Sequence, residues 1–126
     1  MIEIPDLLGI IKDSYREFLQ KDIPPDKRKN VGLEEIFRKV FPVESEDGLW
    51  KLEYISYNIE DPINTIEECV EEGLTYEGKI RVKFRLLINK KDKDGNLKNV
   101  SIKEQEVYVG GIPLMTESGS FIINGI

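Results

Sequence analysis

The side chains that could do chemistry in this sequence fall in a few short stretches. Arg81, Lys83 and Arg85 recur at every second residue, which places three cations on one face of an extended strand. Such a stripe can lie beside phosphates and supply a salt-sensitive attraction. It can equally be a wet sheet face whose cations meet carboxylates across the ladder, and the residues alone favour that second use. The stretch Ser101-Ile102-Lys103-Glu104-Gln105-Glu106 is polar and charged, with Ile102 as its lone apolar residue. Charges along a strand protect an exposed edge from unwanted pairing. The same row of free main-chain groups can accept a partner's strand, backbone bonds giving affinity and side chains selectivity. By pattern alone the protected edge is the stronger reading.

Four other groups reduce to structure. Glu67, Glu68, Glu71 and Glu72 cluster on a helical stretch, but paired acids divide into acid and base only where burial or a neighbour separates their pKa values. Their spacing reads as a solvated acidic surface. Cys69, on the apolar side of the same stretch, reads as a small core hydrophobe rather than a reactive thiol. Asp92-Lys93-Asp94-Gly95-Asn96 opens like a calcium loop, yet its sixth position is Leu97 instead of Gly and its twelfth is Lys103 instead of Glu. It reads as a hairpin turn. Gly110-Gly111 lacks the glycine spacing and the Lys-Ser/Thr pair of a phosphate loop.

Composition narrows the chemistry further. The 126 residues contain no histidine and one cysteine. That removes the commonest general base, the Ser-His and Cys-His pairs and most zinc sites, so no catalytic residue, metal site or cofactor is expected. Eighteen Lys and Arg against 24 Asp and Glu give a net charge of −6, which disfavours a free-standing clamp for nucleic acid. No stretch approaches the apolar length of a membrane span and no secretory pattern opens the chain, so no membrane role and a cytoplasmic location are expected. The length fits a single domain over residues 1–126, whose folded surface would be about 6,900 Å² if compact.

The elements that must position these residues follow from periodicity. Ile4, Leu7, Leu8, Ile11, Tyr15, Phe18 and Leu19 keep the spacing of one helical face, with Pro5 and Asp6 suited to its first turn. The run from Lys21 to Asp26 ends that helix, and Lys27 to Asn30 reads as a solvated connector. A second helix follows Gly32 on Leu33, Ile36, Phe37 and Val40, and Pro42 stops it. Trp50 to Ile59 alternates as a strand, placing Trp50, Leu52 and Tyr54 on one face and Ile55 and Tyr57 on the other. Thr65 and Glu68 form a capping-box pattern for a third helix, with Ile66, Cys69 and Val70 as its buried side and Gly73 closing it. Lys79 to Asn89 is the clearest strand, the Asp-Gly turn follows, and a return strand from Val100 to Val109 is interrupted by Gly110, Gly111 and Pro113. Phe121-Ile122-Ile123 reads as a last apolar strand, and its abrupt end suggests a segment of something longer. The expected class is α+β: N-terminal amphipathic helices, then a mostly antiparallel sheet with one inserted short helix.

Read together, these stretches resemble the N-terminal part of the β subunit of bacterial RNA polymerase. The matching residues are Ile4-Pro5-Asp6-Leu7-Leu8, Gly32-Leu33-Glu34, Phe41-Pro42-Val43, Leu52-Glu53-Tyr54 and Leu74-Thr75-Tyr76. The most specific are Ile102-Lys103-Glu104-Gln105-Glu106-Val107, Ile112-Pro113-Leu114-Met115-Thr116 and Gly119-Ser120-Phe121-Ile122-Ile123-Asn124-Gly125. Ile126 departs from the family's continuation. The resemblance implies the protrusion, or β1, domain, a non-catalytic wall of the DNA cleft in a DNA-directed RNA polymerase. It implies the β′, α and sigma subunits as partners, with DNA in the holoenzyme. It also implies that Ile102, Lys103, Glu104 and Gln105 are where the transcription-repair coupling factor or a CarD-type regulator docks, which reverses the preference for a merely protected edge. The alternative is a weak DNA-backbone contact through Arg81, Lys83 and Arg85.

Overall fold

The computed structural model describes residues 4–126, and the side chains from Leu7 onward. Helix α1 (Ile4–Leu19) leads through a 3-10 turn (Pro25–Lys27) to α2 (Gly32–Val40). A short β1 (Val43–Glu44) turns into β2 (Trp50–Ile59), α3 (Ile66–Glu72) follows, and the long hairpin of β3 (Glu77–Lys91) and β4 (Leu97–Pro113) completes the sheet. The strands lie in the order β1-β2-β3-β4 and every pair is antiparallel. The α+β class with one inserted helix is therefore as expected. The side chains of Ile4, Pro5 and Asp6 lie outside the described residues.

Tyr57 and Val82, both fully buried, centre the core between the helices and one face of the sheet. Leu19, Leu33, Ile59, Ile80 and Leu114 surround them, and Tyr15, Phe18, Phe37, Tyr54 and Phe84 pack on the outside. Only the later turns of α1 take part. Leu7, Leu8 and Ile11, expected on its buried face, are exposed. The accessible surface is 8904 Å², about 2,000 Å² above that of a compact chain of this size. The physical reason is the hairpin: at ~3.3 Å per residue its strands run about 50 Å, and the helices cover only part of that length.

Three extra residues set the faces of the sheet. Ile55 is a bulge in β2, because Tyr54 pairs with Phe84 while Ser56 pairs with Lys83. Simple alternation puts Tyr54 and Tyr57 on opposite faces; the bulge brings both to the helix side and lets Tyr57 fill the core. Val109 and Val100 are the extra residues of β4, where the register passes from Ile80↔Gly110 to Arg81↔Tyr108 and from Ile88↔Ser101 to Asn89↔Asn99. The return strand thus continues through Gly110, Gly111 and Ile112 to Pro113 instead of being interrupted. Gly110, at φ +149°, supplies the conformation that this bulge requires.

The connector after α1 is the largest departure from expectation. Arg28, at 7% exposure, is buried. Its Nε donates to the Gln20 carbonyl at 3.0 Å, a terminal N–H donates to the Tyr57 carbonyl, and the guanidinium lies 4.0 Å from the centre of the Tyr57 ring. Gln20, also buried, clips the same connector: its Nε2 donates to the carbonyls of Lys29 and Val31 while its Oε1 accepts from the Lys29 amide at 2.9 Å. The short β1 leaves the second half of β2 without a strand partner on that side, so Arg28 satisfies a carbonyl that a neighbouring strand would otherwise take.

Three smaller differences have local causes. Val70 is exposed, and α3 buries Cys69 alone among its residues; seven residues are too few for a wide apolar face. Thr65 Oγ1 accepts from the Glu68 amide at 3.1 Å, and the Glu68 carboxylate accepts from the same hydroxyl rather than reaching back to the main chain. Residues 120–126 are not a strand. The Ile126 amide donates to the Ile123 carbonyl at 3.1 Å and Asn124 and Gly125 have positive φ, so the segment turns on itself.

Candidate docking edge and basic sheet face

The candidate residues singled out from the sequence, 81, 83, 85 and 102–105, lie on β3 and β4, and the geometry of that hairpin decides what each can do. No extra residue interrupts β3, so its parity holds throughout. The Glu60 amide donates to the Lys79 carbonyl and the Asn89 amide to the Leu49 carbonyl, each at 2.8 Å, so odd residues of β3 turn their main chain toward β2. The Leu114 amide donates to the Tyr76 carbonyl at 2.9 Å, so even residues turn toward β4. The β4 partners of Val82, Phe84, Leu86 and Ile88 are Val107, Gln105, Lys103 and Ser101, and these carry the ladder bonds. Ile102, Glu104 and Glu106 therefore aim their N–H and C=O groups away from the sheet.

This divides the four candidate docking residues, Ile102, Lys103, Glu104 and Gln105. Ile102 and Glu104 combine outward main-chain groups with side chains on the outer face, away from the helices. Lys103 and Gln105 turn their main chain into the ladder, and their side chains lie on the helix side opposite Leu86 and Phe84. Within the sheet β4 is an edge from end to end, and Ile102 is 58% exposed on it.

The basic stripe occupies the same outer face and is largely neutralised. Arg81 donates through Nε to Glu60. Arg85 donates to Glu104 through Nη2 at 2.7 Å and through Nε at 3.1 Å, and Lys83 Nζ stands 3.5 Å from the same carboxylate. Glu53 lies 4.0 Å from Arg85 on the other side. The hydrogen bond from Arg85 holds the Glu104 carboxyl below the usual range, while the carboxylates raise the already high pKa values of Arg81 and Arg85. Lys79 and Arg81 flank the ring of Tyr108 at 5.9 and 6.0 Å. Exposed pairs of this kind contribute little to stability because solvent screens them, but they consume the positive charge that phosphates would use.

The remaining groups keep structural roles. Glu67, Glu68, Glu71 and Glu72 are exposed, and among the described residues no group of three or more His, Cys, Asp or Glu could hold a metal. Cys69 is buried, and burial together with Glu68, Glu72 and Glu77 pushes its thiol up, away from the reactive thiolate. The Asp92 carboxylate accepts from the amides of Asp94 and Asn96 at 2.9 and 2.8 Å, which is a side-chain-closed hairpin turn. Among the described residues no helix is long and apolar enough to cross a membrane.

Sequence reasoning missed the buried polar residues, Gln20, Arg28, Glu34 and Thr116. Glu34 is buried, accepts from the Tyr54 hydroxyl and lies 3.1 Å from Arg38 Nε; its spacing to Arg38 was a usable signal. Arg28 sits in a charged, proline-containing connector that offers none.

Relatives of the chain agree in kind. The sequence profile of the family described as RNA polymerase beta subunit matches residues 6–126. The DNA-directed RNA polymerase subunit beta of Geobacter metallireducens is 48% identical over 126 residues, covering 99% of this chain and 9% of its own. Its namesake from Anaeromyxobacter sp. strain Fw109-5 is 47% identical over 124 residues, and that from Desulfatibacillum aliphaticivorans 44% over 126, with 98% and 99% of this chain covered. This chain spans about 9% of the length of these relatives. A match that begins before the core of α1 and runs through the edge strand to the last residue leaves one conclusion: the chain belongs to the RNA polymerase beta subunit family.

Proposed function

We propose that this chain serves as the protrusion, or β1, domain of a cytoplasmic bacterial DNA-directed RNA polymerase, a single non-catalytic domain that walls the DNA cleft. It works alongside the β′, α and sigma subunits and accepts regulators on β4. The observation that carries the docking role is the edge itself: Ile102, Glu104 and Glu106 offer unpaired main-chain groups beside a half-exposed Ile102. A transcription-repair coupling factor or a CarD-type regulator would add a strand there, with Ile102 as the apolar anchor and Lys103, Glu104 and Gln105 continuing the docking edge beside it.

Direct contact with DNA through Arg81, Lys83 and Arg85 is the weaker role, because Glu60 and Glu104 already engage all three cations.

Calorimetric titration with the polymerase-interacting module of a transcription-repair coupling factor separates the two. Ile102→Asp should weaken binding by about 1–3 kcal/mol, the range of a buried anchor, with the melting temperature unchanged. Unchanged affinity in a folded variant would refute the docking role. A DNA affinity that falls steeply with salt and is lost in Arg→Ala variants would then move the stripe to first place.

A further inference from the structure

Cations and carboxylates on the outer sheet face do not pair off evenly. Lys83 stands directly opposite Glu106 in the ladder, yet its ammonium turns to Glu104, where Arg85 also converges. Arg81 is held by Glu60. Glu106 is exposed and, among the described residues, forms no ion pair. Its main-chain groups point outward like those of Ile102, and its side chain shares the outer face. Four residues of strand separate the two, about 13 Å. The bulges at Val100 and Val109 interrupt the ladder on either side, which confines a regular added strand to the stretch between them.

We propose that Glu106 is the residue by which this edge selects its partner: it receives a strand with a basic residue opposite Glu106 and an apolar residue opposite Ile102. This rests on the strand-docking reading of β4. Glu104, between the two, is already satisfied by Arg85 and Lys83 and takes an uncharged residue. A strand adding in parallel carries the pattern apolar-x-x-x-basic; an antiparallel strand carries the reverse.

Two cyclised hairpin peptides test this, identical except for Lys or Glu at the position facing Glu106 and each presenting Ile to Ile102. They are titrated at low salt into this chain and into a full-length β subunit carrying it. The Lys peptide should bind about fivefold tighter, the sum of one exposed attraction and one avoided repulsion. High salt should erase the difference, and Glu106→Lys should reverse it without changing the melting temperature. Equal binding of both peptides, lost in Ile102→Asp, would overturn selection by Glu106 and leave the docking edge standing. Failure of both peptides to bind the folded protein would overturn the selection and the docking edge together.

Discussion

Replacing Arg28 is the sharpest perturbation of this fold, because the sequence treats the residue as a solvated connector and the structure buries it. Arg28→Ala deletes donors to the carbonyls of Gln20 and Tyr57 and removes the guanidinium from the Tyr57 ring. Tyr57 is fully buried and its carbonyl lies on the side of β2 that no strand covers, so water does not readily replace the lost donor. A buried acceptor left unsatisfied costs about 1–3 kcal/mol, and the lost cation–π contact and stem packing add about 1 kcal/mol. The expected loss is about 3 kcal/mol from the total of about 5–15 kcal/mol typical of such domains. At ~4 °C per kcal/mol for a chain of this size, melting should fall by about 10–12 °C. Arg28→Lys keeps the charge but not the planar fork, so it should recover less than half of the loss. Urea unfolding followed by circular dichroism measures both, and amide exchange of Tyr57 and Ile59 should accelerate in the alanine variant. A change below ~0.5 kcal/mol, as for an ordinary surface residue, would refute the reasoning and return Arg28 to the solvent.

Further predictions concern a glycine, a group of tyrosines and an ion pair. Gly32 has φ +60° and a Cβ there would collide with the Phe18 backbone; Gly32→Ala should cost over ~2 kcal/mol in urea unfolding and loosen α2 from α1. Burial raises the Tyr57 hydroxyl from 10.0 to about 12 and also raises Tyr54, where Glu34 adds to the shift, and Tyr15. A raised folded pKa contributes stability that is complete below pH ~10 and is lost as pH climbs through about 12. Stability should therefore fall across that window by roughly 2 kcal/mol for Tyr57 alone, and Tyr57→Phe should flatten the decline. Glu104 should titrate below an ordinary carboxylate by NMR, chiefly because of Arg85, and Arg85→Ala should return it toward the usual range.

Elements and family are both legible in the amino-acid sequence. Its periodicities yield three helices near their observed bounds and the hairpin in shorter form, with β4 extending beyond Val100–Val109 at both ends, because a helix or strand that buries one face must repeat its apolar residues at the period of its backbone. The Asp-Gly turn, the Thr65 cap and the Gly73 stop were legible for the same local reason. The resemblance carried by residues 102–107 and 119–125 located the chain among polymerase β subunits. Which side of each strand matters emerges only from the folded sheet. The extra residues Ile55, Val100 and Val109 invert alternation without leaving any mark in composition, and they set Tyr57 in the core and Glu106 on the outer face. Pairing across the ladder likewise turned a row of three cations into an ion-paired face, since Glu60 and Glu104 meet Arg81 and Arg85 from about 20 residues away. Arg28 shows the limit most clearly: its burial follows from a carbonyl that β1 is too short to cover, a property of the assembled sheet and of no local stretch of sequence.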